Sequence, residues 1–189
     1  MQISARADYS LRALCVLADA TPGTAVKAAV IAEAQAIPRT FLDQILGDLR
    51  RGGMVDSRRG PDGGHKLARP SYAITVADVV RAVDGPLALV HGERPESLLY
   101  AGPAEHLRDV WVAVRAALRQ VLERTSLEQI VEDNLPPQVT TLSDDPRSWT
   151  SVWPPPAPVP ASVTPPAPAP VPLRDPEADR AAPVGEQEP

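Results

Sequence analysis

Residues 37–70, IPRTFLDQILGDLRRGGMVDSRRGPDGGHKLARP, join an amphipathic segment to a glycine stop and a basic hairpin. Within the segment Phe41, Leu42, Ile45, Leu46 and Leu49 recur at three- and four-residue spacing, which predicts a helix that turns this stripe to a core. Arg39, Thr40, Asp43, Gln44 and Gly47 are left facing outward, a short polar set able to hydrogen-bond base edges. Asp43 would repel phosphate but can accept from a cytosine amino group, or pair with Arg39 one turn away. Gly52 and Gly53 end the helix. Met54–Arg58 can then pair with His65–Ala68 across residues 59–64, whose glycines and Pro61 permit the partly left-handed backbone of a hairpin tip. Arg58, Arg59, Lys66 and Arg69 crowd this hairpin, which suits phosphate contacts and insertion into a narrow minor groove. A helix followed at once by such a wing is the shape of a DNA reader.

On the N-terminal side, Ser4 can cap a first helix carrying Tyr9, Leu14 and Leu17, and a short second helix runs through Val30, Ile31 and Ala34 to the turn at Ile37-Pro38. These two buttress the recognition helix. On the C-terminal side, Thr75 and Asp78 have capping-box spacing and start a helix with Val79, Val80 and Val83 inward, ending at Asp84-Gly85. After an irregular stretch from Pro86 to Pro103, a long helix places Leu107, Val110, Trp111, Val114, Leu118, Val121 and Leu122 on one stripe. A domain that has committed its early helices to one core has little left to cover so long a face. A second copy of the chain is therefore expected to cover it, the alternative being that the helix folds back on its own domain. The expected fold is mainly α: a winged helix-turn-helix with a small β-hairpin wing and a long dimerisation helix. Residues 1–85 would form the DNA-binding domain, 86–135 the loop, dimerisation helix and a short C-terminal helix, and 136–189 a tail.

The tail holds 16 of the 23 prolines, in repeats such as WPPPAPVP and TPPAPAPVP that favour polyproline II over helix or sheet, so it is expected to be disordered, either an extension of little effect or a spacer with Trp149 and Trp153 docking on the body or a partner. It also carries most of the net charge of -5, because residues 1–135 hold 16 basic and 17 acidic side chains and residues 136–189 hold 3 and 7. Residues 39–69 hold 7 basic against 4 acidic, so a basic face survives in an acidic chain. No apolar run approaches the roughly 20 residues of a bilayer crossing, Arg6, Asp8 and Arg12 interrupt the N-terminus, and a cytoplasmic location is expected. A single cysteine excludes an internal disulfide framework. Arginine outnumbers lysine 17 to 2, which points to a GC-rich genome rather than to a special surface.

Four blocks, MQISARADYSLRALCVLA, IPRTFLDQILGDLRRGG, RRGPDGGH and ITVADVVRAVDG, occur in an order that resembles the Rrf-two family of bacterial winged-helix regulators, which includes the iron–sulfur cluster regulator and the nitric-oxide-sensing repressors. The resemblance covers about residues 1–135 and implies a homodimeric transcription factor on a palindromic operator, double-stranded DNA being its partner. In the wing, Asp62 and His65 replace the family's usual glycine and tyrosine. Asp62 adds a negative charge near the phosphates, and His65 takes the place of an aromatic ring. Cluster-binding relatives carry three cysteines between the fourth helix and the long helix, with a further ligand that can be a first-helix carboxylate; here that stretch is PLALVHGERPESLLYAGPAEHLRDVW, with none. Asp8, His91 and His106 lie in the right regions, yet spacing alone does not make a metal site, and no cofactor or metal is expected. Cys15, between Leu14 and Val16, reads as a core thiol; a redox role needs a lowered pKa, which Arg12 one turn away could supply. No phosphate loop, nucleophile elbow or paired metal motif is present, so an enzyme is not expected. The reading is a homodimeric repressor that lacks the cluster, with Arg39, Thr40, Asp43 and Gln44 in the major groove and Arg58, Arg59 and Lys66 at the wing. The alternatives are an interaction module that has lost DNA binding, and a cluster- or thiol-based redox sensor.

Overall fold

In the computed structural model, which describes residues 2–60 and 63–150, the chain enters its first helix, α1 (Ala5–Asp19), at Ser4. Ser4 Oγ accepts from the Ala7 N–H at 2.9 Å, one of the donors a helix start leaves unpaired, and donates to Asp84 at 2.6 Å. α1 buries Ala7, Ser10, Ala13, Leu14 and Leu17. A short α2 (Ala28–Ala34) adds Ala28 and Ile31, and the chain turns through Ala36 in a left-handed conformation (φ 50°) into α3 (Arg39–Arg51).

Leu42, Ile45, Leu46 and Leu49 of α3 are buried as their spacing requires. Each such side chain stabilises the fold by about 1.5–3 kcal/mol on burial, whereas an exposed pair such as Arg39–Asp43 contributes a few tenths. Packing, not charge, therefore sets how α3 lies. Phe41 departs from the expected stripe. It is 48% exposed and meets Tyr9 edge to face, ring centroids 6.2 Å apart, because it sits one step beyond the edge of the buried face. Asp48 departs in the other direction: it is only 7% exposed, with Arg6 of α1 and Arg51 as its ion-pair partners, so a charge pair ties α3 to α1 beside the apolar contact.

The hairpin forms from β1 (Val55–Arg58) and β2 (Gly64–Leu67), antiparallel, with Val55 opposite Leu67, Asp56 opposite Lys66, Ser57 opposite His65 and Arg58 opposite Gly64. The Ala68 N–H donates to the Met54 carbonyl at 2.9 Å, continuing the pairing to the expected ends. Pro61 and Asp62 lie outside the described residues. A third short piece of sheet, absent from the sequence expectation, joins β2 on its other side: Val26 and His65 exchange backbone hydrogen bonds of 2.8 Å in both directions. This close approach requires Gly64, where an added Cβ would stand 2.7 Å from the Val26 carbonyl oxygen.

α4 (Val76–Asp84) starts with the expected Thr75–Asp78 capping box and stops at Gly85, whose φ of 88° favours glycine. It buries Ala77 and Val79, with Val80 and Val83 half-buried. The long helix α5 spans Leu107–Leu122, and α6 (Leu127–Val131) follows with its own capping box, Ser126–Gln129. α6 does not stay with α5. Its Leu127 is fully buried in the core built by α1 and α3, and its start is stitched to the α4 entry by Leu127 N–H to Ile74 O at 3.0 Å and Val76 N–H to Thr125 O at 2.9 Å. The winged-helix core thus does not end at residue 85. The expected tail boundary also moves: α7 (Pro137–Ser143) and a short 3-10 turn (Pro146–Trp149) follow, Pro137 taking the first helical turn where its missing N–H costs nothing, while residues 151–189 and Trp153 lie outside the described residues. Trp149 folds back on this helix, its Nε1–H donating to the Ser143 carbonyl at 2.5 Å.

Gly64→Ala is expected to lower stability by about 1–3 kcal/mol, the usual range for forcing atoms into a filled site. Urea denaturation beside Gly47→Ala, a helical position where an added Cβ would meet nothing closer than an arginine side chain at 3.6 Å, checks it.

Candidate nucleic-acid interface

Three elements present polar side chains around the wing. Arg39, Thr40, Asp43 and Gln44 are all exposed on the outward side of α3. Arg39 Nε lies 3.1 Å from Asp43 Oδ1, so the two form the intrahelical pair that their spacing allows, and contact with a base or phosphate by Arg39 would have to share or break it. Arg58, Arg59 and Lys66 are exposed on the wing and make no ion pair among the described residues, although Lys66 stands opposite Asp56 on the ladder. Arg69, at the wing base, lies 4.0 Å from Asp78 and is drawn toward α4 instead.

His65 joins the two surfaces. Its backbone is held by Val26, its Nδ1 lies 3.0 Å from Ser57 Oγ across the strand pair, and its ring feels the charges of Asp43, Arg39 and Arg50 on α3. Burial pushes its pKa below the usual histidine value; Asp43 opposes that shift, and Arg39 and Arg50 add to it. Its surroundings between helix and wing thus favour the neutral ring. From the sequence alone His65 reads as a plain aromatic replacement; the signal for more is its place in the register, directly opposite Ser57.

The candidate cofactor ligands are not assembled. Cys15 is half-buried in α1, and burial raises its thiol pKa, opposite to what a reactive thiol or ready ligand needs. Arg12 is engaged elsewhere: it bonds the Gln35 carbonyl, pairs with Asp8 at 3.3 Å and lies 5.3 Å from the Tyr9 ring centroid. Asp8 is thereby occupied too. His91 sits at an exposed turn with φ of 53°, and His106 is 89% exposed, 3.5 Å from Asp109. Among the described residues no three His, Cys, Asp or Glu side chains come close enough to hold a metal. An iron–sulfur cluster, held by several thiolates in most proteins, does not fit this donor set.

A buried helix-turn-helix followed by a paired wing defines a winged helix-turn-helix regulator of transcription. A family model described as Rrf2, iron-dependent transcriptional regulator, matches residues 3–133, and the chain belongs to that family. Its members are transcriptional regulators, not enzymes. A Mycobacterium tuberculosis protein, whose name places it provisionally among HTH-type transcriptional regulators, is 47% identical over 151 residues, covering 80% of this chain and 94% of its own length. The HTH-type transcriptional regulator CymR of Bacillus subtilis is 32% identical over 69% of this chain and 89% of its own. The solved structure of that CymR, described as the global cysteine regulator of B. subtilis, superposes with a TM-score of 0.61, at 30% identity, over 70% of this chain and 98% of the other. IscR of T. potens superposes with a TM-score of 0.58, at 28% identity, over 70% and 88%. Among the described residues no helix is long and apolar enough to cross a membrane.

His65 gives the interface a pH signature. A histidine whose folded-state pKa is depressed leaves the fold at full stability above the unfolded value of about 6.5, and stability is lost as the pH falls from there through the lower folded-state value, because the unfolded chain takes up the proton before the half-buried ring does. Denaturation midpoints of the wild type are expected to fall more steeply below about pH 6.5 than those of His65→Gln; parallel curves for the two would contradict the assignment.

Proposed function

We propose that the chain is a homodimeric, cytoplasmic repressor that binds a palindromic operator through α3 and the wing and works without an iron–sulfur cluster. The observation that carries the reading is the joint exposure of Arg39, Thr40, Asp43 and Gln44 on one helix and of Arg58, Arg59 and Lys66 on the adjoining wing. In this reading α3 enters the major groove. Thr40 and Gln44 meet base edges, Asp43 accepts from a cytosine amino group, and Arg39 exchanges its intrahelical partner for guanine or phosphate. Arg58, Arg59 and Lys66 neutralise phosphates beside it or reach into the minor groove. The same outward face disfavours an interaction module that has lost DNA binding.

Homodimerisation is supported by α5. None of its side chains is buried in one chain, and Val110, Val112 and Val114 are 51%, 36% and 37% exposed. Leu107, Trp111, Leu118 and Val121 on the same helix are half-buried, so Val110 and Val114 continue a partly covered stripe into solvent. A single chain leaves this apolar face to water, and a second α5 would cover it. Two-fold symmetry then sets two α3 helices against the two halves of a palindrome. Cluster independence is supported by the dispersed donors Cys15, Asp8, His91 and His106.

Arg59→Ala is expected to weaken binding to the chain's own promoter region and to flatten the dependence of log affinity on log salt by about one. Titrations at several salt concentrations, on anaerobically purified and colourless protein, measure both; an unchanged slope would remove Arg59 from the phosphates. Val110→Glu is expected to leave the far-ultraviolet spectrum intact and to shift sedimentation from dimer to monomer. A variant that sediments as wild type would exclude α5 as the interface.

A further inference from the structure

Between α4, α5 and the loop that joins them lies a cavity of about 350 Å³, within the range of small-ligand sites. Arg81 comes from α4, Arg94 from the loop, and Arg115 and Arg119 from successive turns of α5. Leu87 gives it an apolar wall. Four guanidiniums on one small cavity repel one another, and the fold offsets only part of that charge. Glu96 lies 2.5 Å from Arg115, and Glu123 is shared by Arg81 and Arg119. Arg94 has no ion-pair partner among the described residues. Four arginines against two carboxylates leave two positive charges uncompensated.

The loop is built to hold Arg94 in place. Val90 and Glu93 exchange backbone hydrogen bonds of 3.0 Å in both directions across His91 and Gly92, which have φ of 53° and 84°, the left-handed pair of a tight two-residue turn. Ala88 just before it is also left-handed, at φ 52°, a conformation that alanine adopts only when its surroundings impose it. Pro95, directly after Arg94, is buried and anchors the loop. The arginines are thus presented on two helices and a fixed turn.

We infer that this cavity binds a small organic dianion, two anionic groups on a short carbon body, with Arg94 and Arg119 as its principal donors and Leu87 against the carbon chain. Two surplus charges call for a ligand of charge -2, and planar guanidiniums match carboxylate and phosphate oxygens in pairs. Dicarboxylates and phosphate monoesters share this chemistry. The ligand would bridge α4, which packs on α1 and α3, to α5, so occupancy would couple the reading helix to the dimer helix; that consequence rests on the DNA-binding reading above.

Isothermal titration of the full chain with succinate, glycerol 3-phosphate and acetate at matched ionic strength tests the site. Saturable binding of at least one of the two dianions, one per chain, is expected, with acetate much weaker. Arg94→Gln and Arg119→Gln are each expected to weaken it about tenfold or more, and Arg147→Gln, outside the cavity, to leave it unchanged. Arg94→Gln breaks no ion pair of the described residues, so its effect is free of a folding defect. The stronger of the two dianions assigns the source as carboxylate or phosphate ester. No saturable binding by either, equal binding of acetate, or wild-type affinity in both variants would overturn the site. Operator titrations on the same samples keep the two readings apart: a chain that binds DNA but no dianion loses only the cavity, and one that binds a dianion but no DNA loses only the regulator.

Discussion

The burial of Leu42, Ile45, Leu46 and Leu49 against α1 is the contact on which the rest of the molecule depends. It fixes the rotation of α3 about its own axis, and so decides that Arg39, Thr40, Asp43 and Gln44 point away from the core. A rotation of one residue, about 100°, would turn that set sideways and bring Phe41 or Asp43 inward. Asp48 guards against this from the edge of the stripe. Its carboxylate, nearly out of water, is matched to Arg51 of its own helix and to Arg6 of α1, and any other rotation would break the pair with Arg6.

Much of this was readable because it is local. Helical spacing exposed the α3 stripe, residue chemistry exposed the Thr75–Asp78 capping box and the glycine stops, and the charge and turn pattern exposed the wing. What escaped depends on partners distant in sequence. Asp48 looks like a solvated charge until Arg6 is placed beside it. The Val26 bridge cannot be seen in a three-residue stretch with no alternation, and Leu127 looks like part of a separate short helix until its amide meets Ile74. Pro136 and Pro137 look like the onset of an extended tail, yet one proline in the first turn of a helix is no obstacle to it. For the interface, residue types marked the α3 and wing side chains, whereas the shift at His65 needed the ring's burial and its neighbours on α3.

The surfaces divide the labour of an acidic chain. A net charge of -5 coexists with an outward face where positive side chains outnumber negative ones, because most of the excess acid lies beyond residue 135. The second concentration of arginine, beside α5, is of a different kind: partly paired and walled by leucine, whereas Arg58, Arg59 and Lys66 on the wing are exposed and make no ion pair among the described residues. Exposed, unpaired positive side chains suit a polyanion laid along them; a cavity with an apolar wall suits a small molecule that it can enclose.

The clasp at the start of α6 has a mechanical consequence. Only residues 123–126 separate the last turn of α5 from Leu127 in the core, and two of them, Thr125 and Ser126, are themselves buried, with Thr125 Oγ1 donating to the Val121 carbonyl at 2.8 Å. α5 is therefore a short rigid strut and not a tether. In the proposed dimer, two readers joined through such struts could not slide apart to follow a changed site. A base pair added between half-sites would twist them about 35° out of phase on B-DNA, with no slack in the protein to absorb it.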